Sequence, residues 1–472
     1  MALGIIAVVI LGTIGFALRS IRHIDVDPRQ FMVGGRSFGA LFLWILLAGE
    51  VYTSFTFQGA AGWAYGKGAP AFYILAYGTI GYTIGYFFLP SVWRIGKERG
   101  LLTAPDFFAD RYDSRALGVG IGILQFFMIV PYVTLQLKGL QILLSIAGYG
   151  TLDSYFAVCV AFLLIAGFVL TAGLRGTAWA SLVKDVLILC AVIFAGIAIP
   201  MKFFGSPAAM FDQLLRAHPH WATLAPGTAP NGIVWFISTV ALTSIGFYMG
   251  PHAIAATYSA RDENAIRRNA IFLPIYQLVL LLVMFAGFAA LLIVPGLNDP
   301  DQSFLVVIQR YYPPWIMGFI GSAAALAALI PASALLLSAA SVVSKNVLSD
   351  GFGLAKSDAG RMLATRVGVI VIAIFALVMW LEYKSTLVEL LLLYYNGVTQ
   401  FMPGFVFGLI WRRVSALAVT VGIAAGLILA IWFSVQNINP WGLNPGIPAL
   451  LLNVALTVGI TLIAPRRRAL QP

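Results

Sequence analysis

Long apolar runs separated by short polar segments set the pattern of this chain. A bilayer span takes about 20 apolar residues, and by that measure the runs predict about thirteen helices. Their expected limits are 2–18, 39–63, 69–93, 116–146, 153–173, 177–204, 232–257, 269–295, 313–346, 364–383, 386–411, 415–435 and 446–464; we number them spans 1 to 13. The pattern predicts an all-α polytopic membrane protein. The first run, LGIIAVVILGTIGFAL, has no basic stretch before it and no small-residue cleavage site after it. It is expected to be a retained span, not a signal peptide. The longest polar gap, 205–231, is too short for a soluble domain.

Two spans depart from this apolar background. In GGRSFGALFLWILLAGEVYTSFTFQGAAGW, span 2 is apolar from Leu41 to Ala48. It then meets Gly49, Glu50, Tyr52, Thr53, Thr56 and Gln58. A carboxylic acid at that depth is costly, so it faces a partner or a water-filled cavity and marks a functional-site hypothesis. Gly49, Gly59 and Gly62 let the backbone unwind. Unwound backbone survives in a membrane only where it lines a protein cavity, and there its carbonyls can bind a cation. Span 7, FISTVALTSIGFYMGPHAIAATYSA, carries Thr243, Ser244, Gly246, Gly250 and Pro251; Pro removes a backbone bond and Gly loosens the helix. Gly246, Gly250 and Pro251 are therefore candidate hinge residues. Spans 2 and 7 lie five helices apart. Interrupted helices at matching positions of two halves point to a transporter binding site, and an odd repeat of five inverts topology. Spans 2–6 and 7–11 are thus candidate inverted repeats, although Gly and Pro are also common in membrane helices generally.

Composition excludes one class and charge adds orientation. The chain is 60% hydrophobic and 10% charged over 472 residues, against about 25% charged in soluble domains, so a soluble enzyme is excluded. The net charge of +11 matters less than the side on which it lies, and nucleic-acid binding does not follow. With the first residue outside, the inside loops collect 22 basic residues, from Arg19 to Arg468. The outside loops keep five: Lys67, Lys202, Arg216, Arg310 and Lys384. That positive-inside bias puts the N-terminus outside and the C-terminus in the cytoplasm. Cys159 and Cys190 both lie in apolar runs and imply neither a disulfide framework nor a metal site.

Several polar residues bear on chemistry. Glu50 is expected to take a proton, face a cation or pair with Lys138 or Lys184. Lys184 and Asp185 are adjacent on span 6, and Arg175 marks the cytoplasmic side, so Lys184 is expected to snorkel at the inner surface. Lys138 lies deeper, beside Gln136 and Gln141, either as a counter-charge for an anionic substrate or as a neutraliser of a buried acid. Glu389 is expected to be solvated near the outer end of span 11. Tyr394, Tyr395, Asn396 and Gln400 form a polar face, either lining a cavity or bonding between helices. Phe247 and Tyr248 are either cavity lining or packing. His252 is expected near the inner surface in a structural role. There is no Walker A pattern, metal-ligand His pair or nucleophile elbow, so no cofactor and no enzyme activity are expected. Uphill transport would draw on an ion gradient.

Four motifs together carry a family resemblance: GGRSFG before span 2, FFADRY after span 3, GLRGTAWASLVKD into span 6, and GPHAIAATYSARDENAIRRNA across span 7. From about residue 32 to about 410 the chain resembles the sodium:solute symporter family. The resemblance implies a leucine-transporter-like core of two inverted five-helix repeats, thirteen helices and alternating access. VPYVTLQLKG, TAGLRG, VKD and IRRNAIFLPIY are most similar to the bacterial monocarboxylate permease branch, which implies pyruvate, lactate or acetate as substrate. It also implies a sodium site on the backbone carbonyls of Gly49, Tyr52 and Ala327. Ile330 and Pro331 occupy the two positions where the family has hydroxyls, and Ser333 is the nearest hydroxyl. A hard cation wants several oxygen ligands, so Glu50 is a substitute through which protons could couple instead. The family's substrate cavity, between spans 2, 4, 7 and 11, would bring together Tyr52, Gln58, Gln136, Thr243, Phe247 and Gln400. Asp185 matches an acid that the family keeps at the start of span 6, here an ion-coupling candidate.

The expected organisation is span 1 with a cytoplasmic loop (1–38), a first repeat (39–204), an outer loop with a second repeat (205–411), and two peripheral spans with a cytoplasmic tail (412–472). The expected function is symport of a small organic anion with sodium or protons, in the bacterial inner membrane, by a monomer with no partner beyond solute, ion and lipid. The alternatives are another small solute (an amino acid, pantothenate or a sugar), a transporter-like membrane sensor, or a passive channel. Few residues follow span 13, which disfavours the sensor.

Overall fold

The structure, a computed structural model, describes residues 1–21, 39, 40, 43–45, 47 and 52–464. Gly49 and Glu50, both expected in the ion-coupling site, lie outside those residues. The secondary structure of the described residues is helical with non-helical connections between the helices, as the apolar runs predict. Eight helices among the described residues are long and apolar enough to cross a bilayer, or nine if Ile233–Gly246 and Pro251–Ser259 count as one bent span. Spans 1, 2, 5 and 11 fall on shorter or interrupted apolar segments: Ala2–Ala17 for span 1, Phe55–Gly59 with Ala60–Gly66 for span 2, Ser154–Leu170 for span 5, and Leu387–Val398 with Met402–Ile410 for span 11.

Helical structure runs without interruption from Ser154 to Phe204, through 173–177 where the sequence predicts a gap between spans 5 and 6. The intervening GLRGT has glycine but no proline. Glycine loosens a helix without removing a backbone donor, so the ladder can continue. Span 4 shows the opposite case. It is divided at Ile129 between Arg115–Met128 and Val130–Ala147. Pro131 there has no N–H for the preceding turn.

The centre of the molecule is span 9, Pro314–Val342, whose most apolar stretch is 89% buried. Its run GSAAALAAL carries small side chains. Without a hydrophobic driving force between helices in lipid, small residues let backbones approach and gain packing contacts. Span 1 uses this directly: a Cβ at Gly318 would come within 2.8 Å of Ile5. The loop 205–231 contains one more helix, Pro207–Ala217, capped by Ser206 and burying Met210 and Leu214. Trp221 then closes over the end of span 2, donating to the Ala64 carbonyl at 3.0 Å and accepting from Ala69 N at 2.8 Å. Gly68 is required at that closure, since φ is +74° and a Cβ would run into the Trp221 carbonyl.

Apart from the buried Lys184–Asp185 pair, the ion pairs among the described residues sort to two ends. At one end Arg94 pairs with Glu263 at 2.8 Å, Arg99 with Asp110 at 3.0 Å, and Lys345 with Asp106 at 2.6 Å and Asp350 at 2.8 Å. At the other, Lys138 pairs with Asp301 at 2.9 Å and Asp299 at 3.4 Å and donates to the Ser385 carbonyl at 2.7 Å. Of the two readings open for Lys138, the structure gives neutralisation of a buried acid: Asp301 is fully buried and also accepts from Leu387 N at 2.8 Å.

Candidate functional site

Span 2 changes character at Tyr52. Tyr52 and Thr53 are non-helical, Phe55–Gly59 is a π-turn, and Ala60–Gly66 is α-helical. Threonines replace the missing ladder. Thr53 N donates to Thr56 Oγ1 at 2.8 Å, and Phe55 N to Thr53 Oγ1 at 3.1 Å. Short hydroxyl side chains offer the backbone such alternatives to helical bonding, and π-turns recur at functional sites because they re-aim side chains.

The π-turn lies against span 4. Gly139 permits the approach, since a Cβ there would run into Ser54 Cβ and Oγ. Two bonds cross this seam. Ser54 N donates to Gln136 Oε1 at 3.2 Å, and Gln58 Nε2 donates to the Gly139 carbonyl at 3.1 Å. Three polar atoms are left with no hydrogen-bond partner among the described residues: Ser54 Oγ, Gln58 Oε1 and Gln136 Nε2. All three residues are fully buried. Leaving a buried polar atom unmatched costs about 1–3 kcal/mol, so such atoms gathered on one seam ask for a reason. The seam presents two groups able to donate, the Ser54 hydroxyl and the Gln136 amide, and one acceptor, Gln58 Oε1.

The other expected substrate residues lie elsewhere or turn away. Tyr52 packs tilted against Tyr276 of span 8, with ring centroids 4.4 Å apart, and donates its hydroxyl to the Tyr276 carbonyl at 2.9 Å. Thr243 Oγ1 is taken up within its own helix by the Thr239 carbonyl at 2.6 Å. Gln400 faces spans 12 and 13: its Nε2 donates to the Asn396 and Gly446 carbonyls at 3.1 and 3.3 Å, and Asn453 Nδ2 donates to its carbonyl at 2.8 Å. Asn396 likewise donates to Ser434 Oγ at 2.8 Å, so those two residues bond between helices. Phe247 sits at the break of span 7 in an aromatic run, 5.2 Å from Tyr82 and 6.0 Å from Tyr77, which is 5.8 Å from Tyr395.

Span 7 breaks after Gly246 and resumes at Pro251, bending by 48°. A Cβ at Gly246 would run into Thr399 Oγ1, and one at Gly250 into Tyr394 Oη. Both glycines therefore serve close approach to span 11. His252, expected near the inner surface in a structural role, is buried just past this break, 5.8 Å from the Tyr132 ring and 6.2 Å from Tyr394.

Lys184 is also not where the sequence puts it. It does not snorkel: its side chain is 0% exposed, and Nζ donates to the Tyr52 carbonyl at 3.2 Å and pairs with Asp185 at 3.2 Å. Snorkelling was the natural expectation for a lysine near a helix end, and the packing of span 6 against the unwound part of span 2 overrules it. On span 9, Ala327, Ile330 and Pro331 are buried. Ser333 Oγ is 2.8 Å from Thr177 Oγ1 and donates to the Ile330 carbonyl at 2.9 Å. Pro331 has no N–H to give the Ala327 carbonyl one turn earlier.

Two cavities open towards the Lys138 end. One, of about 420 Å³, is lined by residues including Thr134, Lys138, Asp299 and Trp380. The other, of about 400 Å³, is lined by residues including Trp63, Trp235, Asn396 and Asn444. Glu389 borders both and caps span 11, accepting from Thr386 N at 2.8 Å.

Comparison with known proteins adds to this geometry. The model of the sodium:solute symporter family matches residues 31–426. The uncharacterized symporter YhjB of Bacillus subtilis is 38% identical, over 99% of this chain and 98% of its own. A monocarboxylate transport permease protein of Rhizobium johnstonii is 28% identical, over 95% of this chain and 92% of its own. Among solved structures, a Na+-coupled sialic acid symporter in a substrate-bound, outward-open state superposes with a TM-score of 0.77 at 18% identity, covering 99% of this chain and 98% of that one. At that identity the likeness carries the fold, which is leucine-transporter-like.

Proposed function

The chain belongs to the sodium:solute symporter family, and from that premise we propose that it is a secondary transporter importing a small monocarboxylate with a coupling cation. The observation that carries the substrate class is the seam between spans 2 and 4. A carboxylate needs hydrogen-bond donors, and the Ser54 hydroxyl and Gln136 amide are two donors without a partner among the described residues. Gln58 Oε1, beside them, suits a hydroxyl or a protonated group on the same small molecule. The relative named as a monocarboxylate transport permease supports the same class.

The cycle follows from where the contacts lie. Solute enters from the cavities beside Lys138 and reaches the seam at mid-membrane. The Lys138–Asp301 pair ties span 4 to the segment before span 9, and the Asp301 bond to Leu387 N adds span 11. At the opposite end Lys345 and Asp106 tie span 9 to the helix Ala104–Arg111. Alternating access loosens these two ends in turn while two inverted repeats, 39–204 and 205–411, move against each other around the seam. The N-terminus is outside and the C-terminus is in the cytoplasm of a bacterial inner membrane.

The test is counterflow in reconstituted vesicles with labelled pyruvate, lactate and acetate, against proline and glucose. A carboxylate is expected to accumulate with saturation. Gln136→Leu is expected to raise its KM about tenfold or more, since the seam loses a donor that the solute matches. Counterflow of only proline or glucose would reject the carboxylate assignment.

A further inference from the structure

The carbonyl at which the family resemblance puts a sodium ligand is already engaged. Lys184 extends from span 6 to the unwound part of span 2, and its Nζ meets the Tyr52 carbonyl at 3.2 Å. The same nitrogen lies 3.2 Å from Asp185 Oδ1, and the lysine side chain is fully withdrawn from solvent. An ammonium is a unit positive charge with three donors and no acceptor. It donates to a carbonyl dipole and offsets the charge of a carboxylate whose oxygens accept no hydrogen bond among the described residues, as a bound sodium would, and the protein carries it covalently.

The opposite wall does not suit sodium either. Ile330 and Pro331 stand where hydroxyl ligands are expected, and the nearest hydroxyl on span 9, Ser333, is engaged with Thr177 and the Ile330 carbonyl. A hard cation needs several oxygens. A sodium ion sharing the Tyr52 carbonyl with Lys184 would also set two like charges a few ångström apart in a low dielectric, where repulsion is poorly screened. Among the described residues, Asp185 is an acid paired with Lys184, and Tyr52 and Tyr276 are other titratable side chains acting on it.

We propose that the Lys184 ammonium is a tethered cation standing in for the coupling sodium, so that this chain binds no sodium at the Tyr52 carbonyl and transports without a sodium gradient. The transport clause rests on the symport reading above; the binding clause does not. Two measurements keep them apart. The first is binding of radioactive sodium to the purified full-length protein, which needs no solute. No saturable binding is expected for the wild type. Saturable binding overturns the proposal.

The second is carboxylate counterflow with choline replacing sodium on both sides. The wild-type rate is expected to be unchanged. Lys184→Ala is expected to lose about tenfold or more, equivalent to roughly 1.4 kcal/mol, and to regain rate with methylammonium or sodium in the medium. Lys184→Arg, which keeps the charge, is expected to retain most of the rate in choline. Wild-type counterflow that stops in choline, or Lys184→Ala at full rate in choline without added amine, overturns the proposal. Should Lys184→Ala fail to elute as a folded species, the wild-type sodium measurements decide alone. If no carboxylate shows counterflow in either salt, the carboxylate assignment fails, and sodium binding still decides the role of Lys184.

Discussion

Asp301 is a carboxylate with 0% exposure, held by Lys138 at 2.9 Å and Leu387 N at 2.8 Å. It lies in the turn before span 9, outside the spans. Burial pushes its carboxyl up to about 6, while Lys138 pulls it down. A carboxyl raised above its unfolded value near 4 contributes stability that is complete below that value. That contribution is lost as pH rises through the folded value. In Lys138→Met the downward pull is gone, so the folded value climbs and the loss extends towards neutral pH. The variant is expected to lose about 3–5 kcal/mol at pH 8 for the orphaned charge and less at pH 5. Thermal unfolding in detergent at the two pH values reads this, and Lys138→Met with Asp301→Asn should recover part of the loss. A deficit that does not grow with pH would show that Asp301 has another partner when Lys138 is absent.

Among the elements, the informative ones are interrupted helices, and they are interrupted for different reasons. Span 4 divides at Ile129 ahead of a proline, span 2 unwinds where threonine hydroxyls compete for the backbone, and span 7 breaks between Gly246 and Pro251. The span 7 break is also where backbone and side chains meet most closely. Gly250 has ordinary extended dihedrals, so its replacement by alanine is a purely steric change. A Cβ would collide with Tyr394 Oη and come within 2.6 Å of His252. Gly250→Ala is expected to cost about 1–3 kcal/mol by overpacking, seen as a lowered Tm in detergent. Tyr394→Phe in the same chain removes the colliding oxygen and should restore part of it. If the double variant is no more stable than Gly250→Ala, the constraint lies in the His252 contact.

For the molecule as a whole, the ion pairs among the described residues, the buried Lys184–Asp185 pair apart, gather at two opposite ends. One end carries Arg94, Arg99 and Lys345, which positive-inside sorting assigns to the cytoplasm; the other carries Lys138, Asp299 and Asp301. Cys159 and Cys190 are both exposed, so orientation is read best in a Cys159→Ser, Cys190→Ser background. His218→Cys in the 205–231 loop is expected to react with a membrane-impermeant maleimide on intact cells, and Lys356→Cys only after permeabilisation. The reverse pattern would invert the topology.

What the residues determined alone is what depends on runs and averages. Apolar length set the spans, because each must cross the same hydrocarbon thickness. Their composition set the all-helical class, because lipid offers the backbone no other partner. Gly246, Gly250 and Pro251 marked the bend, because glycine and proline act on their own backbone. The contacts between spans were decided only by tertiary packing. Gln400 turned its side chain to Asn453 instead of the solute seam, His252 came to lie beside Tyr132, and Lys184 went to the Tyr52 carbonyl instead of the membrane surface. Ser54 and Gly139 lay in plain view in the quoted stretches but gained meaning only when spans 2 and 4 met. A polar side chain in a membrane helix must find a partner, but its choice among neighbours depends on which helix faces it and at what depth. That is a property of the assembled bundle, which no single run of residues contains.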